Sequence, residues 1–363
     1  MKNTFGQYIS VTLFGESHGA EIGAVIDGIA PGIKIDNDKI SEMMTRRRPE
    51  GRMSTARCEK DALRIVSGVF DGYTTGTPIC VIIPNTDTRS NDYGKLKDLP
   101  RPSHADYTAF LKYHGFADYR GGGHFSGRLT APLVAAGAII ISALENKGIK
   151  IRTHIASLAG IKDDPFDPIA PETDAVRTDF PIINEEKGAE MRGVILNAAR
   201  DGDSVGGVLE TAVVGMPGGV GEPWFDTVEG QLAYAMFSIP AVKGFEFGSG
   251  FGITELRGSE ANDSLKMDGG RIVTSTNHSG GVNGGITNGM PLIFRTAIKP
   301  TPSIYKEQST VDLSNGTDEK LLIEGRHDPA IIHRAAVVVE SMTALTLADM
   351  LAGRFGTDWL CCR

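Results

Sequence analysis

Residues 72–83 read Gly-Tyr-Thr-Thr-Gly-Thr-Pro-Ile-Cys-Val-Ile-Ile, a glycine-rich turn that leads into an apolar strand. Residues 285–296 repeat the pattern as Gly-Ile-Thr-Asn-Gly-Met-Pro-Leu-Ile-Phe-Arg-Thr. A second pair occurs in the same order, because 22–27 (Ile-Gly-Ala-Val-Ile-Asp) resembles 205–210 (Val-Gly-Gly-Val-Leu-Glu). Chance likeness between glycine-rich turns is the alternative, but ordered self-similarity is the mark of a repeated structural unit.

The repeat extends upstream of both turns, where Arg64-Ile-Val-Ser67 corresponds to Arg271-Ile-Val-Thr274. We therefore predict a duplicated α/β unit whose seam lies between residues 150 and 195. In this interpretation residues 1–363 form a single domain built from two similar halves, roughly 1–150 and 195–350. The length is compatible with one large core or with two tightly joined halves.

Two long helices are predicted from their caps and their composition. Ser126 is a candidate N-cap for a helix from Gly127 or Arg128 to Glu145. Asp328 and Pro329 resemble an N-cap followed by a first-turn proline, and they predict a helix to about residue 351. Both segments are apolar nearly all round, so both helices should be buried.

The remaining segments divide into strands and polar connections. Apolar runs predict strands at 8–14, 22–27, 79–83 and 205–214. Two polar stretches with proline and aspartate, 85–103 and 161–190, are predicted to be long loops, which in compact proteins are usually functional or mobile.

Composition limits the possible classes of protein. Glycine supplies 45 of the 363 residues, about 12% against an ordinary 7% or so, which indicates many left-handed backbone positions or close approaches to the main chain. The formal net charge of −8 disfavours non-specific nucleic-acid binding, but it allows a small anion held by local arginines. The four cysteines form no C-x-x-C pair, so we expect neither a metal site nor a disulfide framework.

The start of the chain has no apolar signal region, and the most apolar run, 131–144, is shorter than a membrane span and contains proline and glycine. We therefore expect a cytoplasmic protein that does not interact with membranes.

The first candidate site is the turn Gly15-Glu-Ser-His-Gly19, which matches the G-x-S-x-G pattern of hydrolase nucleophile elbows. A hydrolase places a helix after this turn, whereas the residues that follow here are typical of a strand, so the hydrolase interpretation is disfavoured. Ser17 and His18 then remain as a hydroxyl and an imidazole on a glycine-flanked turn. They could contact a ligand, or they could be structural.

The second candidate is a block of five arginines within twelve residues, Arg46, Arg47, Arg48, Arg52 and Arg57. Guanidinium groups bind phosphate and carboxylate in a bidentate manner. The block surrounds Pro49 and Gly51, which favours an anion site or a mobile lid over the alternative of a solvated helix end.

The third candidate consists of Arg101-Pro-Ser-His-Ala-Asp106 and Tyr119-Arg-Gly-Gly-Gly-His-Phe-Ser-Gly-Arg128. Three glycines before a helix N-terminus can present free N–H groups to a phosphate. His104 and His124 are candidate proton carriers, because imidazole titrates near neutrality. The alternative is an ordinary glycine-rich turn with surface histidines.

Two further glycine- and proline-rich segments, 277–289 and 299–303, and a helix start at Gly325-Arg-His-Asp-Pro329 are ambiguous by themselves. The sequence has no G-x-G-x-x-G, no P-loop and no H-E-x-x-H pattern. The residues alone thus predict a protein that binds a polyanionic small molecule and moves protons.

Taken together, these motifs closely resemble the chorismate synthase family. The segments that carry the resemblance are Gly15–Gly19, Arg46–Pro49, Ser67–Pro78, Arg101–Tyr107, Asp118–Gly123, Ala241–Gly244, Lys299–Ser303 and Gly325–Pro329, in family order over some 310 residues. The resemblance implies a 1,4-anti elimination that converts 5-enolpyruvylshikimate 3-phosphate to chorismate and phosphate, with reduced FMN and no net redox change. It also implies an α+β fold, a β-α-β sandwich with helices between antiparallel sheets and internal pseudo-duplication, assembled as a homotetramer.

The resemblance also implies residue roles. His18 would protonate the departing phosphate, His104 would hold a proton on the reduced flavin, and Asp328 would help to take the substrate C6 proton. The substrate would be bound by Ser17, Arg47, Arg48, Arg52, Arg128 and Arg326. The flavin would be bound by His124, Phe125, Ser126, Pro240, Ala241, Gly284, Lys299, Pro300, Thr301, Pro302, Ser303 and Arg326.

This chain departs from the family pattern at three places. Many members have Arg-Ser-Ser where it has His124-Phe-Ser126, and asparagine where it has Pro240, and its loop after Pro49 is shorter. The arginine that clamps the substrate is therefore left open among 46–52. Two other functions also stay open, an oxidoreductase that consumes NADH or NADPH through flavin, and a non-catalytic binder of flavin or of a phosphorylated ligand.

Overall fold

The computed structural model describes residues 2–49, 53–54, 61–86, 97–323 and 327–361. Its helices are α1 (Asn37–Arg47), α2 (Asp106–Tyr113), α3 (Thr130–Glu145), α4 (Glu185–Arg200), α5 (Val228–Ser238), α6 (Gly258–Ala261) and α7 (Ile332–Phe355). The strands of the first half are β1 (Thr4–Phe5), β2 (Ser10–Gly15), β3 (Glu21–Asp27), β4 (Arg64–Ser67), β5 (Val69–Phe70), β6 (Tyr73–Thr74) and β7 (Ile79–Pro84). Those that follow are β8 (Lys150–Leu158), β9 (Ile161–Lys162), β10 (Gly207–Val214), β11 (Val242–Phe247), β12 (Leu265–Asp268), β13 (Arg271–Thr274), β14 (Val282–Asn283), β15 (Ile286–Thr287), β16 (Leu292–Ile298), β17 (Gln308–Asp312) and β18 (Thr317–Leu321).

Two five-stranded antiparallel sheets form the outer layers of the fold. Their strand orders are β1-β2-β3-β7-β4 and β9-β8-β10-β16-β11. Strands β3 and β7 pair at the centre of the first sheet as β10 and β16 do in the second. Helices α3 and α7 pack against each other between the sheets. The predicted α+β sandwich with helices between antiparallel sheets is therefore confirmed.

The equivalent order of the two sheets is what two similar halves would produce. The matching strands are, in chain order, β2, β3, β4 and β7 in the first sheet and β8, β10, β11 and β16 in the second. In both sets a helix (α1 or α5) lies between the second and third strands, and a long helix (α3 or α7) follows the fourth. One proposed correspondence is wrong. Strand β4 pairs with β7, whereas β13 pairs with β12 in a separate hairpin, and β11 takes the position equivalent to β4. A four-residue apolar pattern fits any strand, so it does not determine the pairing partner.

The helix predicted after Ser126 is confirmed. A 3-10 turn at Gly127–Leu129 leads into α3, and the Ser126 hydroxyl accepts the backbone N–H of Arg128. Helix α7 begins later than predicted, at residue 332, with Ile331 at the N-cap position. Asp328 does not cap it, because the Asp328 carboxylate pairs with Arg334 at 3.0 Å and the neighbouring carbonyl of Pro329 accepts Val205 N–H.

The prediction of a loop throughout 161–190 is wrong at both ends, because Ile161–Lys162 forms β9 and α4 begins at Glu185. Asn184 is its N-cap and accepts the N–H groups of Glu186 and Lys187. Before α4, the segment is bonded to the second sheet through the buried side chain of His154 on β8, which contacts Asp163. His154 lies 3.1 Å from both the Asp163 and the Glu210 carboxylates, which raise the pKa of His154 although its burial opposes the charged form.

The helical run Gly127–Glu145, which contains α3, and helix α7 are both long and apolar enough to span a membrane by composition, but 83% and 89% of their most apolar windows are buried within the fold. They form the core, as predicted. The helices approach closely where Gly137 faces Ser341, because a Cβ atom at Gly137 would lie 2.6 Å from the Ser341 Cα. Glycine at this point therefore sets the distance between the two central helices.

A buried ion pair connects α1 to α7. Arg46 contacts the Glu340 carboxylate through both terminal nitrogens, at 2.7 and 2.8 Å, and the backbone N–H of Thr153 donates to the same carboxylate at 3.0 Å. One glutamate thus joins the end of α1, the middle of α7 and strand β8.

Candidate active site

The three consecutive glycines 121–123 form the centre of the site. Their φ angles of 58°, 83° and 53° lie in the left-handed region that favours glycine. A Cβ atom at Gly121 would overlap the His18 ring, and one at Gly122 would lie 3.2 Å from Cε1 of His104. Two histidines that are far apart in sequence therefore pack against adjacent glycines of a single turn.

The turn that carries Ser17 and His18 is held against the glycines. Ser17 N–H donates to the carbonyl of Gly123 at 3.1 Å. Both side chains are buried, and the Ser17 hydroxyl has no hydrogen-bond partner in the part of the chain that the structure describes. A buried hydroxyl without a partner costs free energy, about 1–3 kcal/mol, which a ligand atom at this position would recover.

His104 is oriented by a carboxylate that the sequence did not single out as a site residue. Asp106 Oδ1 lies 2.7 Å from His104 Nδ1, and Arg101 donates to both oxygens of Asp106. Burial opposes ionisation of Asp106, but hydrogen bonds from Arg101 and His104 outweigh it and hold the pKa of Asp106 well below its usual range. Since the carboxylate only accepts, Nδ1 carries a proton and Nε2 is left for a ligand.

The segment 124–126 closes the turn above the glycines. His124 Nδ1 donates to the carbonyl of Gly15 at 2.9 Å, which ties this segment to the Ser17 turn. Phe125 is exposed and contacts Tyr113 edge to face, with ring centroids 6.1 Å apart.

The arginine cluster is built around Asp61, a residue that sequence reasoning missed. The Asp61 carboxylate contacts Arg47 at 2.7 Å, Arg48 at 3.5 Å and Arg128 through its Nη1. Burial opposes ionisation of Asp61, but Arg47 and Arg128 hold its pKa below the usual range. Arg46 points away to Glu340, while Arg52 and Arg57 lie outside the described residues.

The surroundings of Arg47 disfavour its charged form. Burial, together with the nearby charges of Arg334 and Arg128, lowers the pKa of Arg47 to about 10 although Asp61 opposes the change. Its Nε atom is buried and has no hydrogen-bond partner among residues 2–49, 53–54, 61–86, 97–323 and 327–361. A second anion beside Asp61 would relieve both conditions.

Asp328 reaches the same cluster through Arg334, which the sequence analysis also missed. Arg334 Nη1 donates to both Asp328 oxygens at 3.0 and 3.1 Å, and its Nε donates to the carbonyl of Arg47 at 2.8 Å. Burial lowers the pKa of the neighbouring His327, and the charge of Arg101 acts in the same direction. Arg326 lies outside the described residues.

The segment 299–303 lies beside the His104 loop. Lys299 Nζ donates to the Ser103 carbonyl at 2.5 Å, and Lys299 N–H donates to the carbonyl of Ala241 at 3.0 Å. Burial, followed by the charge of Lys243, lowers the pKa of Lys299. The Thr301 hydroxyl is buried, and no group described in the structure is its hydrogen-bond partner.

The other predicted residues of this segment differ in exposure, since Ser303 is buried and Pro300 and Pro302 are exposed and half-buried. Ala241 adopts a φ of 74°, unusual for a residue with a side chain, and Pro240 beside it is exposed.

Gly284 lies apart from Ala241, another of the predicted flavin-binding residues. It lies in the β14–β15 turn, where the adjacent Gly285 carbonyl accepts Val228 N–H at the beginning of α5. Ala241 follows the end of α5, so the 11-residue helix, about 16 Å long, separates the two. No Cβ clash is found at Gly284, so this glycine faces open space in the protomer.

Comparison with known proteins gives consistent matches over nearly the whole chain. The family model for chorismate synthase matches residues 9–352. A chorismate synthase of Pyrococcus abyssi is 48% identical over 350 residues, covering 96% of this chain and 97% of that protein. One of Korarchaeum cryptofilum is 45% identical over 346 residues, covering 95% and 96%. A crystal structure of chorismate synthase is similar with a TM-score of 0.76 and 30% identity, covering 97% and 94%.

An α+β sandwich with two histidines at a glycine turn and an arginine cluster beside them defines an enzyme that acts on a small molecule. The identities and coverage above are more specific than this class. The chain belongs to the chorismate synthase family.

Proposed function

We propose that this protein converts 5-enolpyruvylshikimate 3-phosphate to chorismate and phosphate by a 1,4-anti elimination, a carbon–oxygen lyase reaction that requires reduced FMN without net redox change. The observation that carries the proposal is the packing of His18 and His104 against adjacent glycines of one turn, linked to a cluster of three arginines. The substrate has carboxylates and a phosphate, so it needs cationic groups and proton donors in one place.

His18 is proposed to give a proton to the departing phosphate. Its turn is joined to the arginine cluster, because Asn85 donates to the carbonyls of Glu16 and Gly19 and accepts from Arg128 Nε at 3.1 Å. Phosphate leaves more easily when its charge is neutralised by protonation or by ion pairing. Arg47, Arg48 and Arg128 would supply the ion pairs, and the buried Ser17 hydroxyl a further hydrogen bond.

The residues near His104 fit a flavin. The Thr301 hydroxyl offers a buried donor without a partner in the described chain, and the glycine turn leaves no side chain between His104 and a flat ligand. The exposed ring of Phe125 offers a stacking face. Reduced FMN, when bound, would supply electron density to the breaking allylic C–O bond. His104 would hold a proton at the flavin, with Asp106 fixing the imidazole.

Asp328 is proposed to help remove the C6 proton. In an anti elimination the proton and the phosphate leave from opposite faces, so the chain needs separate groups for the two events. Asp328 lies on the C-terminal segment, and Arg334 Nη1 donates to both oxygens of its carboxylate and so orients it. An ionised carboxylate is the form that can accept a proton.

An anaerobic incubation tests the reaction. The protein is mixed with 5-enolpyruvylshikimate 3-phosphate and chemically reduced FMN, without NADH or NADPH, and phosphate and the flavin absorbance are followed. We expect stoichiometric phosphate release with the flavin still reduced. Net flavin oxidation would instead favour the oxidoreductase, and ligand binding without turnover would favour a non-catalytic binder. Adding NADPH with oxidised FMN shows separately whether the protein reduces its own flavin.

Single substitutions separate the two histidines. His18→Ala and His104→Ala should each lower turnover at least 100-fold, the usual contribution of a positioned proton donor, while substrate affinity changes far less. His114→Ala is a suitable control, because this exposed histidine is the C-cap of α2 and has no role in the proposed reaction. Wild-type rates in both active-site variants would refute the proton assignments.

The protein is further proposed to act in the cytoplasm as a homotetramer. Leu265, Met267 and Ile272 lie on one face of the β12–β13 hairpin and are 73%, 68% and 66% exposed, an apolar surface that a second copy of the chain would cover. Light scattering with Met267→Lys tests this surface. The variant should give smaller particles than the wild type, and Val311→Lys, at an exposed position on β17, should not.

A further inference from the structure

Asp61 has no role in the reaction as proposed above, yet it is the most heavily paired carboxylate of the site. Its side chain is fully buried and meets three guanidinium groups, those of Arg47, Arg48 and Arg128. The backbone at Asp61 has a φ of 46°, a left-handed conformation that is uncommon for a residue with a side chain. The fold thus maintains an unfavourable conformation that places this carboxylate among the arginines.

We propose that Asp61 is a positioning residue, which fixes the arginines into a clamp for the phosphate or carboxylate of the substrate. The proposal rests on the function proposed above. The Asp61 carboxylate contacts three guanidinium groups at once, so it fixes their positions relative to one another. The buried Nε of Arg47, without a partner in the described residues, is a donor that such an anion would use.

Asp61 acts on the His18 side of the site through Arg128. The Arg128 guanidinium is held at three places, by Asp61, by the side chain of Asn85 at 3.1 Å and by the carbonyl of Pro84 at 3.3 Å. Asn85 in turn holds the two carbonyls that flank Ser17 and His18. A shift of Asp61 would therefore move the cation that is bonded through Asn85 to the turn of the proposed proton donor.

Asp61 acts on the Asp328 side through Arg47. The Arg47 side chain is held by Asp61, and its carbonyl accepts from Arg334, which is bonded to Asp328. Asp61 is thus the point at which two branches of one hydrogen-bonded network meet.

The same geometry allows an opposing interpretation, in which the Asp61 carboxylate merely occupies the place that belongs to the substrate anion. The two interpretations predict opposite effects of Asp61→Asn, which keeps the shape and removes the charge. Loss of a positioning residue weakens anion binding. Loss of a competing carboxylate strengthens it, because a negative charge leaves the pocket.

The experiment is calorimetric titration of the full-length protein with shikimate 3-phosphate and, separately, with inorganic phosphate. We expect Asp61→Asn to weaken the binding of both anions at least tenfold, with a circular dichroism spectrum unchanged from the wild type. Asp61→Glu keeps the charge one methylene further out, and its affinity should lie between those of the wild type and Asp61→Asn. Asp179→Asn, which removes a carboxylate from the exposed pair with Arg177, should bind like the wild type.

Steady-state kinetics provide a second readout. The apparent KM for 5-enolpyruvylshikimate 3-phosphate should rise at least tenfold in Asp61→Asn and be partly restored in Asp61→Glu, which simple loss of stability would not produce. Unchanged or tighter anion binding in Asp61→Asn overturns the proposal. If that variant does not fold, wild-type affinity in Asp61→Glu overturns it instead. Anion binding that depends on Asp61 without chorismate formation would refute only the proposed reaction.

Discussion

The contact between Gly137 and Ser341 makes a quantitative prediction about the core. A Cβ atom at Gly137 would lie 2.6 Å from both the Cα and the Oγ of Ser341, whereas carbon atoms pack at about 3.5–4.0 Å. Gly137→Ala therefore forces α3 and α7 apart by roughly 1 Å. Such overpacking typically costs about 1–3 kcal/mol, and the better helix propensity of alanine returns about 1 kcal/mol. We expect a net loss of up to about 2 kcal/mol in the free energy of unfolding.

The matched control is Gly193→Ala on α4, which is also a helical glycine but has no atom within 4 Å of the added Cβ. This variant gains helix propensity without a clash, so it should be more stable than the wild type by about 0.5–1 kcal/mol. Urea unfolding at one fixed protein concentration measures both, because self-association would otherwise contribute to stability. If Gly137→Ala is as stable as Gly193→Ala, the close approach of the two helices is refuted.

Three further predictions concern single side chains. Ser17→Ala removes a hydroxyl without a partner in the described structure, so turnover should fall about tenfold while the unfolding free energy stays within about 0.5 kcal/mol. As a comparison, Ser126→Ala loses an N-cap and should lower the unfolding free energy by about 1 kcal/mol in the same urea measurement. Because the pKa of His154 is raised in the folded protein, its charged form stabilises the fold fully below pH 6.5, and this contribution is lost as the pH rises through the pKa of the folded state. The difference in unfolding free energy between the wild type and His154→Gln should therefore shrink from pH 6 to pH 9. Lys299→Met removes the bond to the Ser103 carbonyl, at a stability cost of only about 1 kcal/mol. It should weaken the binding of reduced FMN about tenfold in an anaerobic fluorescence titration. Unchanged flavin affinity would count against the assignment of this segment to flavin binding.

The sequence predicted best those elements whose signal is local. Strands β3, β7 and β10 are continuous apolar runs, and α3 has both a cap and an apolar composition, so each was found within a few residues of its bounds. The start of α7 was misplaced because Asp328 has two possible bonds, to a helix N-terminus or to Arg334. Only the folded chain decides between them.

The site was predicted in part for the same reason. The glycine turn and its histidines have a recognisable pattern, so Gly121 and Gly122 were found together with His18 and His104. Asp61 and Arg334 were missed, because each is an ordinary charged residue whose partners lie far away in sequence or on another element.

One signal could have separated the arginines of α1. Successive residues on a helix point about 100° apart, so Arg46 and Arg47 leave α1 in different directions. The structure turns Arg46 toward Glu340 and Arg47 toward Asp61.

The central position of α7 has a consequence for synthesis of the chain on the ribosome. Helix α3 leaves the ribosome 186 residues before α7, the helix that covers it, since 146–331 lie between them. At about 5–20 residues per second, the face of α3 that packs on α7 stays uncovered for roughly 10–40 s. During that time Arg46 also lacks its partner Glu340. We therefore expect the nascent first half to depend on chaperone protection until translation has passed residue 355.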